Sequence, residues 1–221
     1  MSAILFGSIS TLVDTSELQR RAFNESFQAH GLDWNWSRDD YTSMLGSNGG
    51  AQRIADYAQS RGDDVDAAAV HATKSQIFQE LLGTSALEAR PGVVATVKEA
   101  KRHDMKIGFV TTTSPANIAA LLKTLAPEIT AETFDIIVNR DAVDNPKPDA
   151  ASYVFALDQL GETADQAVAI EDNVGGVAAA IAAGVRCIAF PNQNTVDGDF
   201  AAASEKVDAL DAGHVLALVA P

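Results

Sequence analysis

Five short apolar runs, each parted from the next by a stretch of helical character, constrain this chain more than any other feature. The first is residues 2–6; the others fall at 107–110, 134–138, 167–170 and 187–190. The last four alternate with helical stretches over about 92–103, from Pro115 onward, about 149–160 and about 174–183, the last stopping at Gly184. Short apolar runs of this length read as buried strands. Strands alternating with helices require parallel pairing, with helices on both faces of the sheet. The fold class is therefore α/β, with a Rossmann-type parallel sheet.

One interval breaks the alternation. Between the first strand and the second, residues 15–88 carry only helical patterns. Asp14-Thr15-Ser16-Glu17 resembles a helix start, with Glu17 three residues beyond a cap at Asp14. Leu18, Ala22, Phe23 and Phe27 follow at helical spacing, and Gly31 is a stop signal. Gly46-Ser47-Asn48-Gly49-Gly50 reads as a loop, 54–61 as a helix, and 65–82 as one or two more. The block is best placed as an inserted α-helical cap over 15–88, with a core built from 1–14 and 89–221.

Several function classes are excluded at this stage. The formal net charge is -14, a surface that repels nucleic acid. No apolar run reaches the roughly 20 residues that cross a bilayer. The single cysteine, Cys187, rules out an internal disulfide, and no basic stretch precedes the first apolar run, so a cytoplasmic setting is expected. The glycine-rich loop lacks Gly-Lys-Ser/Thr and is no nucleotide P-loop. His30, His71, His103 and His214 have no metal-ligand spacing and are expected to face solvent. Trp34 and Trp36 are expected to pack the helical block, and Cys187 to fill space on a buried strand.

In an open parallel sheet, ligands bind beyond the carboxyl ends of the strands. Gly7, Ser8 and Ile9 follow the first strand, and Thr111-Thr112-Thr113-Ser114 the second. Lys147 stands in Asn145-Pro146-Lys147-Pro148-Asp149, and Glu171-Asp172-Asn173 follow the strand at 167–170. Hydroxyls and a lysine suit phosphate oxygens, and paired carboxylates suit Mg²⁺. Each has a plainer alternative. The acidic pair would also cap a helix, the threonines extend a strand, Lys147 sit in solvent, and Arg53 decorate a helix surface.

Together with Gly31-Leu32-Asp33-Trp34-Asn35-Trp36 and Gly49-Gly50-Ala51-Gln52-Arg53-Ile54, these segments resemble the haloacid dehalogenase superfamily. The resemblance is to the branch of β-phosphoglucomutase and the CbbY-like sugar-phosphate phosphatases, and it spans nearly the whole chain. It implies a two-step transfer, in which one Asp attacks phosphorus and another, two residues on, serves as acid and base. Those positions match Gly7 and Ile9, neither of which can attack, ionise or carry a proton. Gln19 stands for a family His, Ala51 for a Lys and Gln52 for a Glu. Carried over are Thr111, with Thr112 beside it, and Lys147 for the phosphate, Glu171 and Asp172 for Mg²⁺, and Arg53 for a distal phosphate. Mg²⁺ binding is expected to be weakened, because one of its ligands comes from the position of Gly7.

Three functions follow from this pattern. The first is a pseudoenzyme that keeps recognition of a small phosphorylated metabolite, a sugar phosphate in particular. With two carboxylates gone, its pocket is expected to hold phosphate with little need for Mg²⁺. The second is an active phosphatase using water activated by a metal on Glu171 and Asp172. The third is a structural partner of an intact homologue.

Overall fold

The computed structural model describes residues 2–45 and 49–219. Residues 46–48 of the expected glycine-rich loop lie outside the described residues. A six-stranded sheet runs β3-β2-β1-β4-β5-β6, built from β1 (Ala3–Phe6), β2 (Lys106–Val110), β3 (Ile136–Val138), β4 (Ala167–Glu171), β5 (Arg186–Ala189) and β6 (Glu205–Lys206). Every pairing is parallel. β1 is central, with Ala3 opposite Lys106 on one side and Ala167 on the other.

Alternation along β1 distributes its side chains between two cores. Ile4 and Phe6 face one cluster with α6 (Val93–Arg102), α7 (Pro115–Leu125) and α10 (Ala212–Ala217). Ala3 and Leu5 face the other, with α8 (Ala151–Leu160) and α9 (Val174–Ala182). The expected α/β class, with helices on both faces of a parallel sheet, is thus what forms.

Boundaries moved where local hydrogen bonding competed with the apolar pattern. β3 begins at Ile136 because the Phe134 N–H closes a 3₁₀ turn onto Ala131, and the Asp135 side chain accepts from the Ile107 N–H. A one-turn helix, α1 (Ile9–Leu12), follows β1 directly and was not anticipated. β6 and α10 were not anticipated either; β6 is two polar residues and carries no periodic signal.

Between β1 and β2 the described residues form helices α2 (Ser16–Ala29), α3 (Arg38–Ser43), α4 (Gly50–Arg61) and α5 (Ala67–Thr84), and no strand. Thr15, not Asp14, precedes α2; the Asp14 carboxylate accepts from Ser16 and does not close the expected box with Glu17. The stretch expected as one or two helices is the single helix α5, capped by Asp66. Trp34, Trp36, Phe23, Phe27 and Tyr41 bury together in this block, as expected for both tryptophans. Gly31 and Gly62 end α2 and α4 with φ of +69° and +73°, a region that favours glycine.

Candidate functional site

A cavity of about 510 Å³ opens where the carboxyl ends of β1, β2 and β4 meet the helical block. Gly7, Ile9, Arg53, Thr111, Thr112, Lys147 and Asp172 all line it, although they span most of the sequence. Glu171 is not in the lining, and its side chain is fully buried.

The floor explains that withdrawal. Lys147 Nζ donates to Glu171 Oε1 at 2.6 Å, to the Gly7 carbonyl at 2.6 Å and to the Val110 carbonyl at 2.7 Å. An ammonium has three N–H donors, so these partners use all of them. Tyr153 donates its hydroxyl to the same Glu171 oxygen at 2.7 Å. A Cβ placed on Gly7 would lie 2.1 Å from Glu171 Cδ, and one on Gly176 only 2.2 Å from it. The carboxyl group thus occupies a slot between two glycines, on the spot a side chain at position 7 would take. Burial pushes the Glu171 carboxyl above the ordinary range, with the Lys147 charge pulling the other way. Its Oε2 accepts no hydrogen bond from the described residues.

Asp172 stays at the cavity but is engaged. Its Oδ1 accepts from Ser8 Oγ at 2.6 Å and Asn173 Nδ2 at 2.9 Å, and its Oδ2 from Asn192 Nδ2 at 2.7 Å. Asn173, not either acid, caps α9, accepting from the Gly176 N–H at 2.8 Å. Thr111 is buried at the end of β2 with its N–H bonded to the Val138 carbonyl, and Thr112 beside it is exposed. Among the described residues, no group of three His, Cys, Asp or Glu stands close enough to hold a metal ion.

The opposite wall is cationic. Arg53 is buried, donates to the Met44 carbonyl at 3.0 Å and lies over the Phe23 and Tyr41 rings at 5.9 and 5.6 Å. Lys74, on α5, is buried against the Phe23 and Phe78 rings, its Nζ 4.7 and 4.9 Å from their centroids. It donates to Gln19 Oε1 and forms no ion pair with a carboxylate among the described residues. Burial first, and the Arg53 charge second, push its pKa down to about 7. His71 lines the same cavity, and Arg140, whose backbone N–H bonds the Thr113 carbonyl, adds a guanidinium from the strand-end side.

His71 corrects one expectation. It is half-buried in the cavity wall, and desolvation, followed by the charges of Lys74, Arg140 and Arg53, pushes its pKa down to about 4. His30, His103 and His214 are exposed, as expected. Cys187 is buried, and burial raises its thiol pKa. Lys74, Arg140, Tyr153 and Asn192 escaped the sequence reading. A signal existed for Lys74: Val70, Lys74 and Phe78 recur every four residues, placing a lysine on the buried stripe of α5.

Comparison with known proteins identifies the family. The family model for "Haloacid dehalogenase-like hydrolase" matches residues 6–190. Protein CbbY of Cereibacter sphaeroides is 38% identical over 211 residues, covering 94% of this chain and 92% of its own. A crystal structure of CbbY from Rhodobacter sphaeroides in complex with phosphate superposes with a TM-score of 0.88 at 38% identity, covering 95% of this chain and 94% of that one. A mutant of the same protein in complex with xylulose-1,5-bisphosphate gives the same TM-score, 0.88, at 37% identity, with coverage again of 95% and 94%. On sequence and fold, the chain belongs to the haloacid dehalogenase-like hydrolase family, among the relatives of protein CbbY.

Proposed function

We propose that this chain binds a small phosphorylated sugar in the cavity and no longer turns it over by the aspartate route. In this reading residues 15–88 act as the cap that closes over the ligand. One observation carries it: position 7 has no side chain, and the carboxyl of Glu171 fills the place where one would stand, tied to Lys147.

Mg²⁺, which the family implies, does not fit the residues present. It needs near-octahedral oxygen coordination. Gly7 offers only a carbonyl that already accepts from Lys147, Glu171 is turned away from the cavity, and both Asp172 oxygens accept hydrogen bonds from neutral donors. Recognition therefore falls to Thr111, Thr112 and the backbone around Ser8 for one phosphate. Lys147 contributes its charge to that phosphate without a spare N–H, and Arg53 and Arg140 serve a second anionic group. The CbbY complexes with phosphate and with xylulose-1,5-bisphosphate support a sugar phosphate, including one esterified at both ends, as the ligand class.

The test pairs binding with turnover. Calorimetric titration of orthophosphate with EDTA present should give heat at millimolar ligand; its absence refutes the binding half. Phosphate release from a panel of sugar phosphates with Mg²⁺, run beside Asp172→Ala, should stay at background. Turnover at or above about 1 s⁻¹, lost in the variant, refutes the other half.

A further inference from the structure

Lys74 is a feature that phosphate binding alone does not account for. Its Nζ lies against two buried aromatic rings, with a side-chain amide as its one hydrogen-bond partner among the described residues. The other lysine on the cavity, Lys147, spends all three donors on Glu171 and two carbonyls. Arg53 and Arg140 carry guanidinium groups, which are donors only and offer no nucleophile. Lys98, Lys101, Lys123 and Lys206 are exposed, and Lys106 is half-buried beside Asp135. Among the described residues, Lys74 is thus the amine that lines the cavity with a lone pair to offer.

We propose that Lys74 traps the free carbonyl of a phosphorylated aldehyde or ketone held in the cavity, forming an imine. This rests on the phosphoryl-ligand reading above and names the second functional group of that ligand. Nζ adds to the carbonyl carbon, giving a carbinolamine. The C–O bond then breaks, and the carbonyl oxygen departs as water with both amine hydrogens. No oxidant, metal or further reactant is needed.

Three features of the cavity favour the step. The Phe23 and Phe78 rings desolvate the amine, and Arg53 from α4 discourages its protonation; His71, a turn earlier on α5, carries no charge above about pH 4. With its pKa pushed down to about 7, Lys74 offers far more free amine at neutral pH than an ordinary lysine, of which roughly one part in 3,000 is unprotonated. The ligand class suits it too. A ketopentose esterified at its terminal hydroxyl has lost the oxygen that would close the furanose ring, so its carbonyl stays free.

The experiment uses pyridoxal 5′-phosphate, an aldehyde and a phosphate monoester in one molecule, on the full chain. Imine formation is followed by its absorbance, then fixed with borohydride and located by peptide mass. Lys74 is expected to be labelled at least tenfold faster than any exposed lysine, with a rate that rises through a midpoint near pH 7. Lys74→Arg should lose the signal while its circular dichroism matches the parent. Labelling spread evenly over the exposed lysines overturns the proposal, as does a rate that climbs only above pH 9. Orthophosphate heat is measured on the same preparation. Heat without Lys74 labelling sinks the imine and leaves the binding reading standing; neither heat nor labelling sinks both.

Discussion

Replacing Gly7 by alanine tests the central feature of the site. The added Cβ would lie 2.1 Å from Glu171 Cδ and 2.2 Å from its Oε1, far inside contact distance. The backbone at position 7 cannot retreat easily, since its N–H bonds the Ile170 carbonyl at 2.8 Å and its carbonyl accepts from Lys147 at 2.6 Å. Gly176 closes the other side of the slot, where a Cβ would meet the same carboxyl at 2.2 Å. Glu171 must therefore rotate out, giving up Lys147 at 2.6 Å and Tyr153 at 2.7 Å. Breaking a buried ion pair costs about 3–5 kcal/mol. Because the displaced carboxylate can reach water in the cavity, the lower figure, about 3 kcal/mol, is expected. For a chain of this size that is a fall in Tm of roughly 6–12 °C. Gly7→Asp should behave differently. Its new carboxylate can replace Glu171 beside Lys147, so the loss should be under about 1.5 kcal/mol. The released Glu171 can then join Asp172, and Mg²⁺ at 100 times its Kd would add about 2.7 kcal/mol. Urea unfolding followed by circular dichroism, in EDTA and in Mg²⁺, measures both variants. Gly7→Ala within about 0.5 kcal/mol of the parent would refute the confinement of Glu171.

Other tests follow from neighbouring residues. Glu171→Gln keeps the shape of the slot but leaves Lys147 buried without its counter-charge, and should cost about 3–5 kcal/mol in the same urea assay. Lys74 binds its proton less tightly in the fold, with a pKa of about 7 against 10.5. The unfolded chain therefore holds a proton that the folded chain lacks between those values, and stability should rise as pH rises from 7 toward 10.5. Lys74→Met should abolish that slope and stabilise the protein below pH 7 by up to roughly 5 kcal/mol, measured by unfolding at pH 6, 8 and 10. Thr111→Val should weaken orthophosphate about 10-fold or more by calorimetry, the scale of one hydrogen bond to a charged group. Arg53→Ala should weaken a sugar bisphosphate while leaving orthophosphate affinity within about twofold, if each phosphate has its own contacts.

The centre of the sheet was legible because β1 and β4 are buried on both faces and so read as unbroken apolar runs. Residues Ala3–Phe6 and Ala167–Glu171 are buried throughout. The short elements were not: α1 is a single turn held by the Ser8 cap, which accepts from the Ser10 N–H, and so small a unit has no periodicity to detect. At the site, the strand-end residues could be listed from topology alone, since a parallel sheet delivers them to one edge. Their side-chain directions could not. Nothing local in Glu171-Asp172 says that one acid turns inward and the other stays at the cavity. That division depends on Gly7, Lys147 and Tyr153, which are distant in sequence and meet Glu171 only in the fold, with Gly176 closing the slot from the next helix. The cationic wall was hidden for a related reason. A basic residue on a helix is ordinarily solvated, and Lys74 departs from this only because Phe23 and Phe78 close over it.

The aromatic packing between β1 and β2 gives the molecule a built-in fluorescent reporter. Both tryptophans of the chain, Trp34 and Trp36, lie in that cluster and none lies in the sheet. Trp36 stands 5.0 Å from the Phe23 ring, and that ring is the surface against which Lys74 rests. Emission from the native chain therefore watches one side of the cavity from behind, through a single intervening ring, and is blind to the strands. Circular dichroism sees the whole backbone. If the helical block loosens before the sheet, the two signals will part company along a denaturant series, and the gap between them will measure how firmly the block is fastened to the sheet.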